Sequence, residues 1–233
     1  MALSERELRD HIRAVLQDET RGREAALEPT IADPAPLGLA AFALTTFVLS
    51  CANARFLPVA PTIFVPLALF YGGLAQFLAG MWEFRNKNTF GAVAFTSYGA
   101  FWLALAFFVF FARQLGVEGS STALGVTLFS WTVFTFYMWV GSFRTTGAVL
   151  AVFTALLATF ILLDIGVLAN SAIWVRIGGY CGVLTAATAW YASAAGVINH
   201  TFGRPVVPTW PLRARPSASA KGKVALGSKA HAR

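Results

Sequence analysis

From Pro34 to Arg233 the chain carries only three acidic residues, Glu83, Glu118 and Asp164. Over all 233 residues, 12% are charged and 57% hydrophobic, with a mean hydropathy of +0.62. Soluble domains run nearer about 25% charged and about 45–50% apolar. One core of this size cannot bury so much apolar surface, so lipid must form part of the solvent. Cysteine is also scarce: Cys51 and Cys181 both fall within apolar runs, which excludes a disulfide framework and leaves them as small buried side chains. The three histidines, His11, His200 and His231, lie outside those runs or at the end of one. They form no His/Cys metal cluster and no nucleophile–base pair, so catalysis has no residues to carry it and no cofactor is expected. The glycine-rich stretches are not followed by Lys-Ser/Thr, which excludes a phosphate loop. Nothing alternates with period two, which excludes a barrel wall. No secretory leader is visible, because the charged start is followed by an apolar run too late.

What is present is a set of long uncharged runs: residues 34–54, 56–82, 88–112, 119–143, 145–163 and 177–203. A helix needs roughly 20 apolar residues to cross about 30 Å of hydrocarbon. Each run reaches or nearly reaches that length, and the fifth continues past Asp164 through "IGVLANSAIW". The fold class is therefore all-α, a polytopic membrane protein with six transmembrane helices per protomer. With an even number of spans both termini share a side. Fifteen of the 18 Lys and Arg residues fall on that side and three (Arg55, Arg113, Arg176) on the other, which predicts both termini cytoplasmic. The predicted organisation is a cytoplasmic segment 1–32, a six-helix transporter domain 33–204, and a basic disordered tail 205–233. Within the first segment, Ser4 and Glu7 have the spacing of a capping box that starts a short surface helix. The positive-inside bias accounts for the pI of 9.9, and no nucleic-acid partner is needed.

The entrance to the first run reads "DPAPLGLAAF". Proline is tolerated in a first helical turn, where the N–H groups have no partner anyway. The pattern predicts Asp33 as the cap, with Pro34 and Pro36 in that turn. A rigid helix N-terminus at a membrane is a ready anion site, although a stiff helix start with no ligand accounts for the same residues. The glycines of "YGGLAQFLAG" and "GGYCG" read as close-packing positions between helices in lipid. Among the ionisable residues, Glu83 stands beside Arg85 and Lys87, the setting of an interfacial ion pair, with gating or assembly as the other reading. Asp164 interrupts an apolar run, where an acid is costly unless paired or neutral. It is expected near enough to the outer end to reach water, with Arg176 a candidate partner or an attractor of anions.

Three blocks of this chain are similar to the acetate uptake transporter family, the succinate–acetate permeases of microbes. They are "DPAPLGLAAFALTT", which resembles the family signature Asn-Pro-Ala-Pro-Leu-Gly-Leu at Asp33, Pro34, Ala35, Pro36, Leu37, Gly38 and Leu39; "FYGGLAQFLAGMWEFRNKNTFGAVAFTSYGAFW" at 70–102; and "GVINHTFGRPVVP" at 196–208. With the six spans, the likeness covers residues 32–208. The resemblance implies a homohexamer in the bilayer with one anion pathway per protomer, moving acetate and, in some members, succinate. Channel-like and proton-coupled (symporter) movement both stay open. It also implies a narrow point formed by Phe42, Tyr98 and Leu156 on spans one, three and five, with Leu156 in weakly patterned sequence. Departures from the pattern are Asp33 for the leading Asn, which adds a negative charge beside an anion route, His200 after Asn199, and "RNKN" in place of a Gly-containing turn.

The spans hold no Lys or Arg near mid-membrane, so a permeant carboxylate must rely on hydroxyls, amides and helix N-termini. Thr45, Thr46, Gln76, Thr96, Ser97 and Tyr98 are the candidates, each with bonding to its own helix as the competing role. Weak sites suit a conduit, because tight binding would stop release. Two other functions fit the same residues: export of ammonium or ammonia, attributed to some fungal relatives, and a nonconducting membrane scaffold or sensor.

Overall fold

The computed structural model describes residues 6, 9–18, 31–56, 61–115 and 121–212. Ser4, Glu7, Glu118 and the tail from residue 213 lie outside the described residues. The chain divides into two units, Met1–Asp33 and Pro34–Arg233. In the first, residues 9–18 are helical and exposed.

In a medium without water, backbone N–H and C=O groups must be satisfied within the segment, and helices do this. The second unit has six helices long and apolar enough to cross a membrane, and no strands among the described residues. Span one is α1 (Ala35–Ala54). Span two is composite: α2 (Pro61–Leu67), a π-helical stretch (Ala68–Ala75) and α3 (Gln76–Arg85). Spans three to six are α4 (Thr89–Leu115), α5 (Ser121–Ser142), α6 (Gly147–Leu168) and α7 (Ala172–Thr201). The protein is a multi-pass membrane protein.

The π-helical stretch follows Pro66, which lies inside α2 and offers no N–H to its preceding turn. It contains Gly72 and Gly73. A Cβ on Gly72 would stand 2.5 Å from Thr45 Oγ1, and one on Gly80 would strike Thr96. The small residues of span two thus let it press against spans one and three, the packing read from the sequence. Gly182 faces Ser50 in the same manner across spans six and one.

Span six packs along spans one and five, span four on span five, and span two on spans one and three, whereas the backbones of spans three and four stand apart and meet through the side chains of Tyr98, Phe101, Trp131 and Phe134. The neighbour order 1–6–5–4–3–2 is a ring. Half of the first span's residues are buried within the protomer, against 17% of the fourth span's. Span one is therefore interior, and span four mostly faces outward.

Two details differ from the sequence reading. Helix α1 begins at Ala35 with Pro34 as its cap, and Gly38 N–H closes onto Pro34 O at 3.2 Å, so the exposed Asp33 stands outside the cap position. Pro36, in the first turn, has a preset φ and no N–H to leave unpaired there. Secondly, residues 205–212, expected to be disordered, form a strap. Asn199 holds it: Nδ2 donates to Val207 O at 2.8 Å, and Oδ1 accepts from Val206 N–H and Val207 N–H at 2.7 and 2.8 Å. Trp210 stacks on Tyr191 with centroids 5.9 Å apart. The strap's carbonyls then take the first donors of α6, with Gly147 N–H on Trp210 O at 2.7 Å and Ala148 N–H on Thr209 O at 3.2 Å. Those donors have no partner within the helix, which is why an extended segment docks there.

Candidate functional site

Phe42, Tyr98 and Leu156 are all buried, and they line one cavity of about 190 Å³. The rings of Phe42 and Tyr98 lie 5.6 Å apart, and the Tyr98 hydroxyl shares a 2.9 Å hydrogen bond with Thr135 of span four. The rest of the wall follows the helical repeat. From Phe42, span one adds Thr46, Leu49, Ser50 and Asn53. From Tyr98, span three adds Phe101, Trp102 and Leu105. From Leu156, span five adds Thr159, Phe160, Leu163 and Val167. Each set recurs three or four residues on, the spacing of one helix face.

Spans one, three and five run in the same direction, so the three named residues form one end of this cavity and the wall extends toward those helices' C-termini. Below that end the protein is filled. Phe153 packs on Tyr98 at 6.4 Å and on Phe90 at 5.1 Å, in one core with Leu39, Phe95 and Val152. The cavity is thus closed at its Phe42–Tyr98–Leu156 end by aromatic packing.

The lining contains no Lys, Arg, Asp or Glu. Its polar groups are hydroxyls, the Asn53 amide and the Trp102 indole. Thr159 Oγ1 is occupied, donating to Ala155 O at 2.8 Å and lying 3.0 Å from Thr185 Oγ1. Thr46 Oγ1 and Trp102 Nε1 are buried with no hydrogen-bond partner among the described residues. A buried donor without an acceptor costs about 1–3 kcal/mol, and two of them in one cavity give an incoming carboxylate somewhere to bind.

The other predicted polar residues stand off this cavity. Thr45 Oγ1 donates to Ala41 O of its own helix at 2.9 Å, and Ser97 is half-buried. Gln76 is fully buried, and among the described residues neither its amide atoms nor the buried Thr96 Oγ1 has a hydrogen-bond partner. Gln76 lies one turn from both Gly72, which faces Thr45, and Gly80, which faces Thr96. These polar atoms form a second group where span two meets spans one and three.

The first motif block is a structural junction. Gly38 faces the Phe95 ring at 2.6 Å for an added Cβ, Gly196 faces Pro36, and Ser193 Oγ donates to Pro36 O at 2.7 Å. The three motif blocks, or the helices carrying them, therefore meet at the start of span one. Leu39 is buried in the core, and Leu37 is exposed.

Glu83 is fully buried; Asn86 Nδ2 donates to its Oε2 at 3.4 Å, and Gly91 leaves room for the carboxylate beneath the turn. Asp164 is 6% exposed rather than open to water. Its Oδ2 accepts from Thr132 Oγ1, and Arg176 instead donates to Tyr180 Oη at 3.5 Å with its guanidinium 5.9 Å from that ring. Span five turns Asp164 inward toward span four, whereas Arg176 lies on the exposed side of span six.

Sequence reasoning missed Trp102, Thr135 and the π-helical stretch. Trp102 was findable, being one turn beyond Tyr98 on the same face. Thr135 had no signal, because its partner lies 37 residues away. A second apolar cavity, of about 360 Å³, occupies the loose seam between spans three and four and shares Phe101, Leu105, Leu124 and Leu128 with the first.

Residues 19–214 match the model of the GPR1/FUN34/yaaH family. Accumulation of dyads protein 2 of Saccharomyces cerevisiae is 46% identical over 173 residues, which are 71% of this chain and 61% of the yeast protein. The chain thus spans less than two thirds of that relative's length. The succinate-acetate/proton symporter SatP of Escherichia coli is 39% identical over 180 residues, 76% of this chain and 95% of SatP. A solved structure of the bacterial acetate channel SatP superposes with a TM-score of 0.73 at 38% identity, covering 77% of this chain and 99% of that one. With six spans and a matched region that includes all three motif blocks, the chain belongs to the GPR1/FUN34/yaaH family.

Proposed function

We propose that the protein is a transporter or channel that moves small carboxylates, acetate and also succinate, across the membrane through a pathway in each protomer. It is a transport protein and not an enzyme. The observation that carries this reading is the uncharged, donor-bearing cavity ending at Phe42, Tyr98 and Leu156. A carboxylate there meets Thr46 and Trp102 donors but no cation, so it is held weakly enough to leave. Phe42, Tyr98 and Leu156 act as the filter: a small, readily dehydrated anion passes and a bulky one does not. The names of the SatP relatives support acetate and succinate as cargo.

In this reading six protomers assemble into a ring in the cell membrane with both termini cytoplasmic, as the distribution of Lys and Arg supports. The cavity then opens toward the outside, and the aromatic packing below Tyr98 is the closed inner side. Gln76, Thr45, Thr96 and Ser97 serve as further polar steps or as interhelical packing. Glu83 holds the turn between spans two and three.

Labelled acetate flux is to be measured in proteoliposomes against ammonium flux. Acetate should move and ammonium should not; the reverse result would establish ammonium export. Phe42→Ala and Leu156→Ala should raise the succinate-to-acetate flux ratio. An unaltered ratio in variants that remain assembled would remove these residues from the filter.

A further inference from the structure

The lining of the cavity carries no charge, yet one acid is buried on a helix that forms its wall. Asp164 follows Leu163 and lies one turn from Phe160, both wall residues. Its partner Thr132 lies one turn from the wall residue Leu128 on span four. We propose that Asp164, with Thr132, is a proton-binding site that loads and unloads in step with a carboxylate in the cavity; the inference rests on the carboxylate-transport reading above.

The hydrogen bonds fit both protonation states. Thr132 Oγ1 lies 2.5 Å from Asp164 Oδ2 and 3.3 Å from Leu128 O. A hydroxyl has one proton to give and lone pairs to accept with. When Asp164 is ionised, the Thr132 proton points at the carboxylate. When Oδ2 carries a proton, the acid donates to Thr132 Oγ1 and the hydroxyl proton turns back to Leu128 O. No heavy atom has to move between the two.

The surroundings do not hold the charge in place. Asp164 Oδ1 is buried without a hydrogen-bond partner among the described residues. Spans four and six pack along span five, and span three reaches it through Phe90, Tyr98 and Phe101, with the Tyr98 hydroxyl held by Thr135. On span four the only titratable side chain is Tyr137, which is exposed. On span six they are Arg176, held on Tyr180; Tyr180 itself; Cys181, whose thiol meets Ala155 O at 3.5 Å; Tyr191, which donates to Pro208 O; and His200 in the last turn. None is paired with Asp164. A lone carboxylate among apolar helices is costly, and it marks a functional position by default.

Coupling to substrate follows from like-charge repulsion. An ionised Asp164 opposes a second carboxylate in a cavity that offers no cation. A proton taken up on Oδ2 from the aqueous side that supplies the substrate removes that repulsion. Proton and carboxylate then enter together with no net charge, and the proton leaves to the water that receives the anion.

The test uses the full-length protein in proteoliposomes with an entrapped pH dye and labelled acetate or succinate, the leak of protein-free vesicles being subtracted. Wild-type uptake should fall up to about tenfold for each pH unit above its midpoint, with protons entering alongside the anion. Asp164→Asn should carry the anion at a rate that no longer depends on pH and without protons, and Asp164→Glu should restore both. An Asp164→Asn protein with the wild-type profile overturns the assignment, as does wild-type anion uptake without proton movement. If the wild-type protein moves no carboxylate at all, the transport reading has failed and this one with it. Should Asp164→Asn not assemble, Thr132→Val is run through the same pH series: a displaced midpoint supports the site, and an unmoved one overturns it.

Discussion

Trp102→Phe separates binding from packing at the cavity wall. The Trp102 ring meets Phe101 edge-on at 5.0 Å and Phe64 at 6.2 Å, and its Nε1 is buried with no acceptor among the described residues. Phenylalanine keeps a ring against both neighbours and removes only the N–H and part of the indole. Two changes in folding free energy oppose each other. Removing an unsatisfied buried donor relieves about 1–3 kcal/mol, while the space left by the smaller ring costs a similar amount. The net change in stability should therefore be small. Binding has no such compensation. A hydrogen bond to a charged acceptor is worth about 1.5–3 kcal/mol, and about 1.4 kcal/mol is a factor of ten. The half-saturating acetate concentration should rise between about tenfold and about a hundredfold. Concentration series of labelled acetate uptake in proteoliposomes read the first effect, and thermal melting of the purified protein reads the second. A variant with wild-type half-saturation and a clearly lowered Tm would refute the reasoning and make the indole a packing group only.

Tyr98→Phe should behave in the opposite way: it leaves the buried Thr135 without its 2.9 Å partner, so stability should drop by about 1 kcal/mol. Acetate flux should change while the size cut-off hardly moves, and melting with paired acetate and succinate uptake checks both. Single cysteines placed after Glu118 should be labelled from outside the cell and ones near Lys221 should not, and the reverse pattern would invert the topology. Native mass spectrometry from mild detergent should show six copies, and a stable monomer as the sole conducting species would sink the ring.

The span count was legible because charge is so scarce that each Lys, Arg or acid works as a boundary. Which face of each span points inward was not. The spans are apolar all round, since lipid outside and core inside are equally hydrophobic, so amphipathic patterning gives no direction. Small residues supplied part of what hydropathy lacked. Gly72, Gly80 and Gly182 each mark the side of a helix that another helix touches, and the structure puts Thr45, Thr96 and Ser50 against them. The strap at 205–212 was hidden for a different reason. Its Pro-rich sequence, running into a basic tail, reads as disorder, and only the hold of Asn199 and the demand of the α6 N-terminus for acceptors give it a place.

The cavity wall shows how far one placed residue reaches. Once Phe42, Tyr98 and Leu156 are set on their helices, the repeat of three and four residues leads to Thr46, Trp102 and Thr159 without further information. Cross-helix partners do not follow in that way. Asp164 announced itself as an acid in an apolar run, and Arg176 looked like its natural counter-ion because the two are close in sequence on one side of the membrane. Yet on a helix the direction of a side chain changes by about 100° per residue, so nearness along the chain decides little. Thr132, 32 residues back on span four, faces the carboxylate, and Arg176 turns to Tyr180. A carboxyl met by a hydroxyl can take or release a proton without losing its partner, whereas one met by a guanidinium would be held ionised. That difference in partner separates a structural ion pair from a site able to carry a proton beside the substrate.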